Sequence, residues 1–228
     1  MRFFLNIFIF FSVFNTFSQE VPDFSALDSL YREDQFYVGI TYNDLQNRPD
    51  NVSQNKFTPS FSLGFLRDMP INKKRNRAVA VGLGYSINNY NHGLLISQTD
   101  GTPQYNKVDP QIDYDKNKLI LHFIDLPIEY RWRTSTPASH IFWRIYSGVK
   151  LSYLVYDKSK YIDGDSRIIV KGNKDLDKFQ YGLYMAAGRN TWNLYAYYGL
   201  KPIFKSAKLN GNDVEMSTLN LGLMFYIL

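Results

Sequence analysis

The sequence contains no cysteine in its 228 residues, which excludes disulfide bonds, thiolate metal sites and lipid attachment through a cysteine. Histidine is scarce as well, and no two of His92, His122 and His140 have the spacing of metal ligands. None of them belongs to a serine–histidine–aspartate pattern. These absences predict a chain with no catalytic residues, no metal and no cofactor, which is not an enzyme.

A large excess of charge of one sign is also missing. The net charge is +5 at pH 7, and removal of residues 1–18 would lower it to +4 because that segment contains one charged residue, Arg2. Such a mild balance predicts no nucleic-acid partner. Beyond the N-terminus, no stretch approaches 18 consecutive apolar residues, so no transmembrane helix is predicted there.

The N-terminus has the layout of a secretory signal peptide. In "MRFFLNIFIFFSVFNTFSQE" one arginine precedes an apolar run from Phe3 to Phe14, and small and polar residues follow, with cleavage plausible after Ser18. The alternative, a membrane anchor, needs about 20 apolar residues. The predicted organisation is a signal peptide at 1–18, a short N-terminal periplasmic segment at 19–34 and one β-domain at 35–228.

Aromatic residues are abundant. They make up 17% of the chain, with 18 Tyr and 17 Phe, although the mean hydropathy is only −0.31. Apolar residues alternate with small or polar ones in segments that are separated by polar loops, a pattern typical of β-strands. Eight such segments occur, at about 36–43, 57–65, 78–87, 118–133, 141–156, 179–185, 192–200 and 219–227. The alternation changes phase within the fourth, and Pro127 there predicts a bulge.

The connections between these segments are long, then short, in strict alternation, which is typical of outer-membrane barrels. A lipocalin-like barrel would turn its apolar face inward. Here the other face carries mainly small residues, which suit the narrow lumen of eight strands. We therefore predict an all-β fold, an eight-stranded antiparallel up-and-down transmembrane β-barrel of the outer-membrane type, in contact with outer-membrane lipid. Trp132, Trp143 and Trp192 lie beside the short turns and predict an aromatic girdle.

The chain ends on an apolar strand, "NLGLMFYIL". In a closed barrel the last strand pairs with the first, so such a strand leaves no exposed edge. Its alternating apolar residues also resemble the signal that the outer-membrane assembly machinery reads, and they make that machinery an expected partner. The alternative is a buried C-terminal strand in a soluble sandwich.

Charged residues on the inward face concentrate in the fourth and fifth segments. A turn centred between residues 136 and 137 would place Glu129 opposite Arg144. The predicted lumen charge network consists of Glu129, Arg131, Arg133, Arg144 and Lys150. We interpret it as a plug of salt bridges, since unpaired charges in a narrow lumen would be costly. The alternative is a path for protons or ions.

The short turn "NKKRNR" is a compact basic patch at residues 72–77. Its cations Lys73, Lys74, Arg75 and Arg77 predict a possible periplasmic docking site for an acidic partner or for phospholipid headgroups. The alternative is an ordinary solvated turn.

The stretches "PSFSLGFLRDMPINKKRNRAVAVGLGYSIN" and "DLPIEYRWRTSTPASHIFWRIYSGVKLSYL" resemble the PorT family of outer-membrane barrels from Bacteroidota. The resemblance implies a part in type IX secretion and no catalytic residues, and it implies structural or docking roles for the matching positions. These are Arg67, Asp68, Pro70, Asn72, Arg75, Asn76, Glu129, Arg131, Arg133 and Arg144.

An eight-stranded barrel is too narrow to pass a folded protein. The expected function is therefore that of a non-enzymatic accessory, assembly or anchoring component of the secretion system, with proteins of that machine as partners. The alternative is a free-standing barrel of the OmpX or OmpA type, which acts in adhesion or envelope integrity.

Overall fold

The computed structural model describes residues 31–54, 56–108, 114–136 and 142–227, and these contain β-strands and connecting loops. The predicted signal peptide and most of the predicted 19–34 segment lie outside the described residues. The strands are β1 (Gln35–Gln46), β2 (Pro59–Pro70), β3 (Arg77–Asn91), β4 (Leu94–Thr99), β5 (Thr102–Lys107), β6 (Lys116–Arg133), β7 (Trp143–Asp163), β8 (Ser166–Lys171), β9 (Phe179–Arg189), β10 (Trp192–Gly199), β11 (Lys208–Leu209), β12 (Asn212–Asp213) and β13 (Ser217–Ile227).

Eight of these strands form a closed barrel in which every neighbour is antiparallel. The wall runs in the order β1, β2, β3, β6, β7, β9, β10, β13, which is also the chain order. It closes where β13 pairs with β1 along its full length, from Phe36 opposite Ile227 to Gln46 opposite Ser217. Each predicted segment corresponds to one wall strand, so the predicted fold and the pairing of the last strand with the first are confirmed.

The barrel turns its apolar side outward. On β1, Phe36 and Ile40 are 61% and 47% exposed, whereas Tyr37 between them is 5% exposed. The same alternation leaves Leu83 on β3 and Leu194 on β10 exposed. Such a surface suits lipid, because an apolar band of this size would be unfavourable in water.

The bulge predicted near Pro127 is wrong. Burial alternates along β6 without interruption, so Phe123, Asp125 and Glu129 all face inward. The apolar residues change face because the barrel interior changes from apolar to polar along the strand. A bulge does occur, but on β7: His122 pairs with Tyr156 while Phe123 pairs with Leu154, which leaves the intervening residue without a partner on β6.

Two wall strands extend far beyond a membrane on the side of the long connections. β6 has 18 residues and β7 has 21, against about 9–11 for a membrane-spanning strand. At about 3.4 Å per residue, β7 is about 70 Å long. β8 pairs with its projecting part, and the hairpins β4–β5 and β11–β12 lie in the long connections. Those connections therefore contain regular structure.

Candidate functional site

A buried ionic network lies inside the barrel near the short turns. Asp68 accepts hydrogen bonds from Arg131 Nη1 at 2.9 Å and from Arg133 Nη1 and Nη2 at 2.8 and 2.9 Å. Arg131 Nε donates to Glu129 Oε1 at 2.6 Å, and the Tyr184 hydroxyl donates to Glu129 Oε2 at 2.8 Å. The charged side chains are fully buried. We call these five residues the lumen network.

Strand register brings these groups together. Asp68 on β2 pairs with Ala80 on β3, and Ala80 pairs with Glu129 on β6. The small, fully buried side chain of Ala80 leaves room for the longer groups to meet above it. The alternation along β6 then points Arg131 and Arg133 to the same side. Since a buried ion is costly unless it is paired, the bidentate pairing of Arg133 with Asp68 is the contact that stabilises these charges.

The five charged residues predicted for the lumen all lie at inward positions. Only three of them, Glu129, Arg131 and Arg133, belong to the lumen network. The predicted pairing of Glu129 with Arg144 is wrong. Glu129 lies opposite Gly148, and Arg144 lies opposite Arg133. The connection is longer than predicted, so the β6–β7 pairing centres between residues 138 and 139.

The cationic groups of Arg144 and Lys150 contact aromatic rings instead of carboxylates. The Arg144 guanidinium carbon lies 4.5 Å from the ring centre of Phe142 and 5.5 Å from that of Tyr226. Lys150 Nζ lies 4.1 Å from the ring centre of Tyr197. Within the described ranges, neither cation forms an ion pair. The negative faces of the rings provide the compensating interaction.

Asp68 is absent from the predicted lumen charge network. From the sequence, it is identified only as a position that matches the PorT family. The sequence does contain a signal for it, because Leu63 and Phe65 face outward on β2 and Asp68 follows them by five and three positions, both odd offsets. Alternation therefore assigns Asp68 to the lumen. Its partners could not be predicted in the same way, since they depend on the register of three strands.

Residues 31–34, which we call the strap, lie across the mouth of the barrel on the short-turn side. Arg131 Nη1 donates to the Glu33 carbonyl at 2.8 Å, and the Asp68 amide donates to Asp34 Oδ1 at 2.8 Å. Arg75 Nη1 donates to the Tyr31 carbonyl at 2.8 Å. The lumen network therefore also holds the chain that enters β1.

The lumen around and above the network is filled mainly by tyrosines. They are Tyr37, Tyr146, Tyr184, Tyr195, Tyr197 and Tyr226. A cavity of about 20 Å³ remains beside Asp125, Glu129 and Lys150, which is room for about one water molecule. Gly84 on β3 makes space for this packing, since a Cβ there would collide with the Tyr37 hydroxyl. This part of the barrel is a packed core.

The long connections fold into a second apolar core, which we call the cap core. It closes the other end of the lumen. Its buried members are Leu45, Val52, Tyr90, Leu94, Ile96, Tyr105, Leu119, Leu121, Phe123, Leu154, Val170, Leu176, Ile203, Phe204, Ala207, Leu209, Val214 and Met216. They come from four wall strands, β1, β3, β6 and β7, and from all four long connections, so the cap core ties those connections together.

Polar groups inside the cap serve its packing. The Tyr105 hydroxyl donates to Asp175 Oδ2 at 3.0 Å, and burial raises the pKa of this tyrosine. His92 Nδ1 accepts from the Leu94 amide at 3.2 Å, and burial lowers the pKa of His92 to about 4, so its ring is neutral at pH 7. In the part of the chain that the structure describes, no group of three or more His, Asp or Glu side chains could hold a metal ion.

The basic turn between β2 and β3 divides into one engaged cation and three exposed ones. Arg75, with a φ of 52°, is the engaged one through its contact with the strap. Lys73, Lys74 and Arg77 are exposed. They form no ion pair among the described residues.

The three tryptophans predicted for the girdle are exposed on the outer wall near the short turns. Trp192 packs edge-to-face against Phe225 at 4.8 Å. Trp132, Trp143 and Trp192 line one shallow apolar groove whose floor includes Gly188. This arrangement suits the interface between lipid tails and headgroups.

The described residues contain no helix that is long and apolar enough to cross a membrane.

The sequence matches the family model described as "Outer membrane protein beta-barrel domain" over residues 17–205. The chain belongs to this family. Membership assigns the barrel to the outer membrane, where short turns face the periplasm and long loops face the exterior. The strap, the lumen network and the basic turn are therefore periplasmic features, and the cap is extracellular.

Among solved structures, the chain is similar to Ail, the attachment invasion locus protein of Yersinia pestis, with 14% identity, 87% of this chain and 100% of that chain covered, and a TM-score of 0.42. It is also similar to a mutant of the Rh. blastica porin, with 8% identity, 86% and 100% covered, and a TM-score of 0.23. A comparison with curated proteins found no match.

Proposed function

We propose that this outer-membrane barrel is a non-enzymatic accessory, assembly or anchoring component of type IX protein secretion, related to the PorT family. The observation that best supports this proposal is the filled lumen, which is packed by tyrosines and the lumen network and closed by the cap core. A barrel with such an interior acts through its surfaces. Its β13 strand is also proposed to engage the outer-membrane assembly machinery.

Most of the positions that match the PorT pattern lie in one structural unit. Asp68, Glu129, Arg131 and Arg133 are in the lumen network. The basic turn is joined to it through backbone atoms, because Arg133 Nε donates to the Arg75 carbonyl at 3.1 Å and the Arg133 amide donates to the Asn76 carbonyl at 3.0 Å. The matching residues thus support the periplasmic rim, which favours a rim that is kept in a fixed shape for docking.

The proposed docking surface consists of Lys73, Lys74 and Arg77, which project from that rim and fit an acidic periplasmic partner. We expect that reversing all three to glutamate in the native host leaves secreted cargo in the periplasm, because charge reversal replaces attraction by repulsion. Proteomics of the culture medium and the periplasm measures the distribution. Arg75 stays unchanged, since it holds the strap.

The matched control reverses three exposed cations of the cap, Lys107, Lys174 and Lys205, and is expected to secrete normally. A third strain lacks the protein. If that strain secretes normally, the proposed role in secretion is wrong. If the strain that lacks the protein does not secrete cargo while the turn variant secretes normally, only the assignment of the docking surface is wrong. Heat-modifiable gel mobility confirms that each variant barrel is folded.

A second candidate is a free-standing barrel of the OmpX or OmpA type, which acts in adhesion or envelope integrity. The folded cap favours it, because the apolar cap core and the hydrogen bonds of Tyr105 with Asn173 and Asp175 hold the extracellular loops in one arrangement. In this case the strain without the protein would secrete normally and would instead lose attachment or resistance to detergents.

A further inference from the structure

Six cations lie together on the outer wall of the barrel, above the hydrocarbon layer of the membrane on the extracellular side. They project from β8 and from the ends of β6 and β7 on the side of the long connections. We call them the wall patch. Its members are Lys116, Lys118, Lys158, Lys160, Arg167 and Lys171. None belongs to the lumen network, to the cap core or to the periplasmic turn.

Strand register fixes their arrangement. Lys118 lies directly opposite Lys160, and Lys158 lies directly opposite Lys171. In the row farthest from the membrane, Ile162 has Lys116 on one side and Arg167 on the other. The residues between these positions on β6 and β7, such as Asn117 and Ser159, are buried. All six cations therefore share the outward face.

This arrangement is unfavourable for the protein alone, because like charges directly opposite each other on a sheet repel. Lys160 experiences repulsion from Arg167, Lys116, Lys158 and Lys118. Among the described residues, no carboxylate forms an ion pair with any of the six. A neighbouring anion from outside the chain would relieve the repulsion.

The height of the wall patch identifies where that anion lies. The next row toward the membrane is aromatic: His122 packs edge-to-face on Tyr156 at 5.1 Å and is hydrogen bonded to Tyr85 at 2.6 Å. Such rings mark the membrane interface. Successive outward rows are about 7 Å apart along a strand, or about 5 Å in height at a tilt of about 45°. The cations thus begin one row above the interface, at the level of lipid headgroups.

We propose that the wall patch binds the phosphate-bearing headgroup of the outer-leaflet glycolipid, lipid A. Its position on the lipid-facing wall selects a ligand that lies in the membrane plane. Clustered cations match phosphate. Ile120 lies in the lowest row of the wall patch, opposite Lys158, where it is nearest to the acyl chains of such a lipid. The proposal is independent of any role in secretion.

The test compares the purified barrel with a variant that carries Lys118→Gln, Lys158→Gln, Lys160→Gln and Lys171→Gln. A control variant carries Lys107→Gln, Lys174→Gln, Lys205→Gln and Lys208→Gln, which are exposed elsewhere on the cap. Native mass spectrometry measures binding of lipid A and of dephosphorylated lipid A from detergent micelles. We expect lipid A to bind the original barrel and the control at least tenfold more tightly than it binds the patch variant.

The original barrel is also expected to prefer lipid A at least tenfold over the dephosphorylated form, and millimolar inorganic phosphate is expected not to displace it. Equal binding of both lipids, or an equal loss in the control, would overturn the proposal. Complete displacement by inorganic phosphate would show a site for free anions and would overturn it as well.

Thermal unfolding gives a second readout. In micelles without lipid A, the patch variant should melt above the original barrel, since repulsion has been removed. With lipid A this order should reverse, because the original barrel gains the bound lipid. A patch variant that is less stable, or that fails to fold, in the absence of lipid A would contradict the proposed repulsion and overturn the assignment.

Discussion

The Asp68→Asn substitution is expected to lower the free energy of unfolding of the barrel by about 3–5 kcal/mol, because it leaves buried charges without their partner. Asp68 accepts three hydrogen bonds from Arg131 and Arg133. Asparagine keeps the size of the side chain but loses its charge, and one end of its amide would point a donor at an arginine. Urea titration in detergent micelles, followed by tryptophan fluorescence, measures the change.

The matched control is Asp213→Asn, which makes the same chemical change in an exposed ion pair, 3.9 Å from Lys208. Its expected effect is below about 1 kcal/mol, as for most surface pairs. A double variant, Asp68→Asn with Arg133→Gln, should recover part of the loss because it restores the charge balance. An Asp68 variant as stable as its surface control would show that the lumen network does not hold the barrel together.

Leu94→Ala is expected to destabilise the cap by about 2–5 kcal/mol while the barrel wall stays folded. The Leu94 side chain is fully buried in the cap core, where its removal leaves a cavity among side chains from several loops. The side chains of Lys107 and Lys174 are already exposed, and local opening should free the backbone around them so that trypsin can cleave there. Digestion of intact cells, with mass spectrometry of the fragments, measures the cleavage rate, which should rise at least tenfold.

Leu95→Ala provides the comparison, since Leu95 lies on the other face of β4 and is partly exposed. Its cleavage rate should change less than threefold. Heat-modifiable gel mobility should show a folded barrel for both variants. Equal sensitivity of the two to trypsin would mean that the cap loops are not held by a shared core.

The wall of the barrel could be predicted from the sequence because it depends on a local pattern. Alternation on β1 and β13 shows which residues face lipid, and a strand that is apolar to its last residues requires a partner. The same pattern assigns Asp68, Glu129 and Arg131 to the lumen. These conclusions need only the period of two in a β-strand.

The missed features depend on contacts between distant residues. The predicted pairing of Glu129 with Arg144 is wrong because it assumed a shorter turn, and the length of that turn sets the register of the two strands. The cap was not predicted because its members, such as Leu94, Leu176 and Val214, are scattered through polar loops and show no periodicity. The phase change on β6 was a sign of the cap, since Leu119, Leu121 and Phe123 are apolar on the inward side where the cap core begins.

The lumen is filled by the tyrosines and the lumen network and is closed by the cap core, so we expect the barrel not to conduct ions. Current recording in planar lipid bilayers tests this expectation most directly, with insertion verified independently by a fluorescent label and a porin recorded as the conducting reference. No channel steps are expected at any voltage that the membrane tolerates. Stable open-channel currents from the folded barrel would contradict this expectation, because they would require a continuous water path past the lumen network and the cap core.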